Sequence, residues 1–214
     1  MSGYAVKELF LTLQGEGIQA GRRAVFLRFA GCNLWSGREQ DRGDADCDFC
    51  DTDFVGTNGD NGGRYPDADA LAEKARELWD RWIEEEGAPF VVLTGGEPML
   101  QVDAALIAAL KARRFEIAIE TNGTLPVADG IDWICVSPKA GTEVVQRRGN
   151  ELKLVWPQPG IDYKDAEQWA FDHFLVQPMD GPSLHDAREA CIKFVIQHPR
   201  WRLSLQSHKM IGLR

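Results

Sequence analysis

FVVLTGGEPMLQVDAALIAALKARRFEIAIETNG, residues 90–123, is the stretch that decides the architecture. Residues 90–94 are an apolar run stopped by GGEP, the pattern of a buried strand ending in a turn. QVDAALIAALKAR (101–113) reads as a helix, and FEIAIE (115–120) as a second strand ending in TNG. Strand, helix and strand in succession build a mostly parallel sheet covered by helices. Working outward, strands are expected at 4–13, 24–30, 131–136, 151–155, 172–176 and 201–205. Helices are expected from Asp67 or Asp69 to about Glu86, with Leu71, Ala75, Leu78, Trp79 and Trp82 on one face, and at 163–170 and 183–198. Residues 121–130 and 138–150 lack the length or the period for crossover helices. An eight-stranded barrel takes about 250 residues, and this chain has 214. The expectation is an α/β fold, an incomplete TIM-type β/α barrel with five or six parallel strands and reduced helix content. It would form one domain over 1–214, with a polar loop at about 31–65. Ligands gather at the carboxyl ends of such strands.

Composition narrows the classes. With 44% hydrophobic and 27% charged residues, the chain is of globular type. Its net charge of -9 argues against a surface built for nucleic-acid phosphates. The pairs Arg22-Arg23, Arg113-Arg114 and Arg147-Arg148 lie scattered among acids, so no direct nucleic-acid partner is expected. No apolar run is long enough to span a bilayer, and Lys7 and Glu8 interrupt any signal-like stretch. A cytoplasmic protein without a membrane partner is expected.

The five cysteines divide into two groups. Cys135 lies in the β-like IDWICVSP and Cys191 in the helical SLHDAREACIKFVIQH, and both read as small buried core residues. Cys32, Cys47 and Cys50 cluster within one polar loop, where thiols are more often metal ligands than disulfide partners. The strand ends add AGC, TGGEP, ETNG, SPK and QPMD. Gly95 and Gly96 can bring backbone groups close to a ligand, and Glu97, Glu120 and Asn122 offer polar groups suited to an amino acid moiety. QGEGIQAG (14–21) lacks the spacing and following helix of a dinucleotide loop.

These cysteines with GGEP (95–98) and ETNG (120–123) resemble the radical S-adenosylmethionine superfamily. In that superfamily three thiolates hold three irons of a [4Fe-4S] cluster, and the fourth iron chelates the methionyl end of the cofactor. Its usual spacing is C-x3-C-x2-C, whereas this chain has C-x14-C-x2-C, which a pattern written for the usual spacing would miss. The long insertion is similar to that in a subgroup of the 7-carboxy-7-deazaguanine synthases. FLTLQGEG, FLRFAGCNLW, CDFCDTDF, LTGGEPMLQ, ETNGT, SPK, FLVQPMDGP and LSLQSHKMIGLR resemble that family in order along nearly the whole chain. The resemblance implies a lyase of queuosine and 7-deazapurine biosynthesis. It would contract 6-carboxy-5,6,7,8-tetrahydropterin to 7-carboxy-7-deazaguanine, release ammonia and use S-adenosylmethionine catalytically.

The resemblance also implies roles. Cys32, Cys47 and Cys50 would bind the cluster. Gly96, Glu97, Glu120 and Asn122 would hold the cofactor's amino acid end, with Ser137, Pro138, Lys139, Gln177, Pro178, Met179 and Asp180 on its adenosyl side. Leu13, Gln14, Gly15, Glu16, Arg28 and Thr94 would contact the pterin. Arg28 suits its carboxylate, since guanidinium grips carboxylate through two parallel hydrogen bonds. Glu16 suits its aminopyrimidinone edge, in what would be a local basic pocket. A tail over about 206–214 would cover the site, with His208 and the terminal carboxylate of Arg214 as contacts. Thr52 would ligate Mg2+, although on the residues alone Asp51, Thr52 and Asp53 read equally well as a solvated turn. An electron donor such as flavodoxin or ferredoxin and a homodimeric state complete the implied picture. The alternatives are another radical enzyme such as a glycyl-radical activase, or a zinc-binding interaction module, although structural zinc usually takes four ligands.

Overall fold

The computed structural model describes residues 3–85 and 87–213. β1 (Tyr4–Leu13) and β2 (Arg23–Phe29) form an antiparallel hairpin, and β3 (Gly63–Tyr65) lies antiparallel to β1 on its other side. The chain continues through α1 (Ala68–Trp79), β4 (Phe90–Gly95), α2 (Ala104–Ala112), β5 (Glu116–Thr121) and β6 (Trp133–Val136). It then forms β7 (Arg148–Trp156), α3 (Tyr163–Ala166), β8 (Ala170–Pro178), α4 (Leu184–Gln197), β9 (Trp201–Leu203) and α5 (Ser207–Met210). These strands make one sheet ordered β3-β1-β2-β4-β5-β6-β7-β8-β9. Its two edges are β3 and β9, so the sheet is open, a partial barrel.

Every neighbouring pair from β2 to β9 is parallel. That makes seven parallel strands, more than the five or six expected. The short β9 is held by Trp201, 1% exposed and edge-on to Phe174 and Phe194 at 5.4 and 5.5 Å. No helix forms between β5 and β6 or between β6 and β7 among the described residues, as the sequence of those connections implies. None of the described helices is long and apolar enough to cross a membrane.

Two caps begin the helices that cover the first half of the sheet. The Asp67 carboxylate accepts from the Ala70 N–H and the Asp103 carboxylate from the Leu106 N–H, at 2.8 and 3.0 Å. Leu71, Leu78, Leu106 and Leu110 pack against β2, β4 and β5, and Phe90–Leu93 are buried on both faces of the sheet. Each such leucine contributes about 1.5–3 kcal/mol by leaving water. A second apolar cluster joins Leu152, Leu154 and Val176 to Cys191 and Phe194 of α4.

Three helices are shorter than their sequence implies, α2 because it starts only after the Asp103 cap and ends at Ala112. α1 stops at Trp79 because Arg23 of β2 donates to the carbonyls of Trp79 and Arg81, both at 2.5 Å. Trp82 is therefore not on the buried face: it takes φ +54° and is 85% exposed. Glu86 lies outside the described residues. α3 is a single turn because β8 already begins at Ala170.

The inner side of the sheet is polar. Register pairs Glu8 with Arg28, Arg28 with Thr94, Glu120 with Cys135, Cys135 with Glu151 and Glu151 with His173. Partners across a ladder point to the same face, so this row lies beneath the strand ends.

Candidate active site

A cavity of about 530 Å³ opens at the carboxyl ends of the parallel strands. Its walls contain Cys32, Cys47, Cys50 and Thr52, then Leu13–Glu16, Arg28 and Thr94. They also contain Gly96, Glu120, Asn122, Ser137, Lys139, Gln177, Pro178, Asp180 and His208. Glu97, Pro138 and Met179 are not part of the wall, and Arg214 lies outside the described residues.

The first cysteine follows β2 directly, and Gly96 makes its approach possible. A β-carbon on Gly96 would stand 2.2 Å from the Gly31 carbonyl oxygen and 2.6 Å from Cys32 Cβ. The Glu97 N–H donates to the same carbonyl at 3.0 Å. These glycines thus admit the cysteine loop to the end of β4. The intervening insertion folds as a 3-10 turn, Glu39–Asp44. From it Arg42 reaches back to donate to the carbonyls of Asp48 and Cys50, at 2.7 and 3.2 Å, while its guanidinium lies 4.1 Å over the Trp35 ring. Trp35 packs edge-on against buried Phe54.

All three loop thiols are free of disulfides and share the cavity, whereas Cys135 and Cys191 are buried away from its wall. Cys135 is not in a purely apolar setting, since its thiol hydrogen-bonds Glu120 and burial drives its pKa up. A hydrogen bond between the Cys47 and Cys50 thiols raises the former and lowers the latter, and burial raises Cys32. The Leu34 N–H points at Cys32 Sγ, 3.4 Å away. Lys139, held by Ser137 Oγ at 2.8 Å, places its ammonium near Cys47 and Cys50. Burial lowers the Lys139 pKa, against the pull of those two sulfurs. Among the described residues no three His, Cys, Asp or Glu converge on a single ion. Three thiolates without a fourth cysteine fit a cluster that keeps one iron open, as each sulfur then takes a different iron.

Glu97 stands behind this wall. It is fully buried and accepts from the Met99 N–H (2.9 Å), Thr121 Oγ1 (2.8 Å) and the Asn122 N–H (2.8 Å). Burial raises its carboxyl despite these donors. Asn122 in turn donates to Asn33 Oδ1 at 3.0 Å, one residue beyond Cys32. Glu97 and Asn122 therefore brace the cysteine loop from the β5 end.

The opposite wall is not a basic pocket. Its cations are matched by acids: Lys7 with Asp53 at 2.7 Å, Arg28 with Glu8 at 2.9 Å, and Lys153 with Glu16 and Glu120 at 2.6 and 3.0 Å. Lys209 pairs with both Asp51 and Asp180 at 2.6 Å. Arg28 spends only Nε on Glu8, and its two terminal nitrogens bond no described residue. Burial works to raise the Glu16 carboxyl, but the Lys153 ammonium outweighs it and holds it below the usual range.

The tail closes over this wall. Ser207 donates its N–H and its hydroxyl to the Gly15 carbonyl, both at 2.9 Å, and Gln206 Nε2 donates to Glu16 and Asp51, both at 3.0 Å. The His208 ring covers Gly15 so closely that a β-carbon there would be 2.0 Å from Nδ1. Burial lowers the His208 pKa. No sequence signal gives Lys7 or Lys153 a place in the site. Lys7 and Lys153 alternate with apolar neighbours in YAVKELFL and ELKLVW, a pattern that fits a solvent-facing position equally well.

Against known proteins, the family model for the Radical SAM superfamily matches residues 40–154, starting after Cys32. The 7-carboxy-7-deazaguanine synthase of Bradyrhizobium diazoefficiens is 59% identical over 99% of both chains. That of Burkholderia multivorans is 59% identical over 98% of this chain and 99% of its own. The crystal structure of QueE from Escherichia coli aligns with TM-score 0.68 and 26% identity, over 96% of this chain and 94% of that one.

Proposed function

The chain belongs to the radical S-adenosylmethionine superfamily and, within it, to the 7-carboxy-7-deazaguanine synthases, and from that membership we propose how its cavity works. The enzyme is a lyase that contracts 6-carboxy-5,6,7,8-tetrahydropterin to 7-carboxy-7-deazaguanine and releases ammonia. The observation that carries the site assignment is that one cavity holds three free thiols on one wall and the Glu16–Arg28 side on the other.

Cys32, Cys47 and Cys50 would hold the [4Fe-4S] cluster, and Gly96, Glu120 and Asn122 would bind the amino acid end of S-adenosylmethionine. When bound, cluster and cofactor supply one electron and a carbon-centred radical able to take a hydrogen atom from carbon. Glu97 would act through Asn122 and the cysteine loop. Ser137, Lys139, Gln177, Pro178 and Asp180 would flank the adenosyl group, with Pro138 and Met179 shaping the backbone behind them. The free nitrogens of Arg28 would take the pterin carboxylate through a pair of hydrogen bonds. Glu16 would accept from the pyrimidinone N–H groups, between Leu13–Gly15 and Thr94, and His208 and the tail would exclude water. Arg214 would complete that cover. Thr52 would offer its hydroxyl to Mg2+, a cation that takes oxygen ligands and keeps waters or substrate oxygens. A flavodoxin or ferredoxin would supply the electron, to a homodimer.

Anaerobic turnover of the tetrahydropterin with S-adenosylmethionine and a reductant, with and without Mg2+, tests the reading. The expected products are the deazaguanine and ammonia, with lower turnover when Mg2+ is chelated. Unconsumed pterin in protein that carries its full iron would refute the substrate. Unaltered turnover in chelator would remove Mg2+ and Thr52 from the scheme.

A further inference from the structure

Lys153 is 3% exposed in the middle of β7, yet its ammonium reaches the cavity. It lies 2.6 Å from Glu16 Oε2 and 3.0 Å from Glu120 Oε2. Gln14 closes a ring with them. Its Nε2 donates to Glu120 Oε1 at 3.2 Å, and its Oε1 accepts from the Glu16 N–H at 3.2 Å. The other oxygen of Glu16, Oε1, accepts from Gln206 Nε2 at 3.0 Å.

A carboxylate has about four acceptor sites, two on each oxygen. Lys153 takes one on Oε2 and Gln206 one on Oε1, and Gln177 hydrogen-bonds the same carboxylate, which leaves one acceptor site for a ligand. That site matches an N–H donor on the edge of a heterocycle. That match needs an anion, because a protonated carboxyl replaces one acceptor with a donor. A buried carboxylate without a counter-charge tends toward the neutral form. Lys153 supplies the counter-charge from beneath, where solvent does not reach. The carboxylates beside it, Glu120 and Glu16, keep it protonated against the effect of burial, so it is a fixed cation rather than a proton donor.

We propose that Lys153 is a positioning residue for substrate recognition: it holds Glu16 as an anion in one orientation, with its remaining acceptor site turned to an N–H donor on the substrate edge. This rests on the reading of Glu16 as a substrate contact. The selectivity that follows is for a heterocycle that presents an N–H donor to Glu16, against analogues that lack it.

The test compares cluster-loaded wild type with Lys153→Met, Lys153→Gln, Glu16→Gln and the double variant Lys153→Met with Glu16→Gln. Steady-state KM and kcat for the tetrahydropterin are measured, with its binding followed by tryptophan fluorescence. Lys153→Met should raise KM and Kd about 10- to 100-fold, the scale of a lost hydrogen bond to a charged group. The value of kcat should stay within about threefold, as expected for lost ground-state binding. The double variant should bind no more than about threefold worse than Glu16→Gln alone, because one residue acts through the other. Lys153→Gln keeps a donor and carries the same test if the methionine variant does not fold. A KM within about twofold of wild type in folded protein overturns the proposal, as do effects that multiply in the double variant. Wild-type protein that binds no tetrahydropterin overturns the reading of the site, and this inference with it.

Discussion

Replacing Glu97 by glutamine separates a brace from a ligand. The carboxylate receives three hydrogen bonds: Met99 and Thr121 reach Oε1, and Asn122 reaches Oε2. In the better orientation of the glutamine, its oxygen keeps the first two and its amide faces the Asn122 N–H, donor against donor. One buried donor loses its partner, which costs about 1–3 kcal/mol. Taking about 2 kcal/mol, and about 2–4 °C per kcal/mol for a chain of this size, Glu97→Gln should melt about 4–8 °C below wild type. Asn122 holds Asn33 next to Cys32, so the variant should also lose iron faster when a chelator is added anaerobically. Circular dichroism melts under argon and chelator-challenged iron release read the two effects. A melting temperature within about 1 °C of wild type, with a large drop in S-adenosylmethionine affinity, would refute the brace and make Glu97 a direct ligand.

Arg42→Ala should leave the sheet intact but free the carbonyls of Asp48 and Cys50, so iron retention should fall by more than melting temperature does. Equal iron retention would show that the insertion does not steady the second and third cysteines. Glu116 is grasped by Arg22 through two bonds of 2.9 and 2.7 Å, and that hydrogen bonding holds its carboxyl below the usual range. Stability from a lowered carboxyl is present above its unfolded value and lost as pH falls through the folded one. Glu116→Gln should therefore cost about 0.5–1 kcal/mol at pH 7, solvent exposure having reduced the figure, and progressively less as the pH falls through the range where the carboxyl protonates. Urea midpoints measured across that range check it, and a penalty that does not shrink toward the acid end would exclude the linkage.

How far the molecule is legible from its sequence depended on distance along the chain. The β4–α2–β5 unit could be read because every signal in it is local: the apolar run, the helical period and the two terminal turns. The cysteine loop was readable from spacing, and Cys191 from the helical pattern around it. β3 is three residues long and owes its existence to pairing with β1, so no local signal announces it. Trp82 has a helical position in the sequence, but Arg23, from a strand 58 residues before Arg81, ends the helix before it. Glu97 looks like a ligand beside a glycine turn until Thr121 and Asn122 arrive from the next strand. The supposed basic pocket failed for the same reason. Arg28 and Lys7 were visible as charges, while the acids that pair with them came from other segments or the opposite side of a hairpin.

The bonds from Ser207 to Gly15 span 192 residues. Nearly the whole chain must emerge from the ribosome before they can form, so the chamber stays roofless while its walls assemble. Closure of so long a loop costs entropy that grows with its length, so it is late in any folding order set by sequence separation. The same contacts should be the first to fray in the finished enzyme. A roof that is last on and first off gives a small heterocycle its way in, while the parallel strands beneath remain undisturbed.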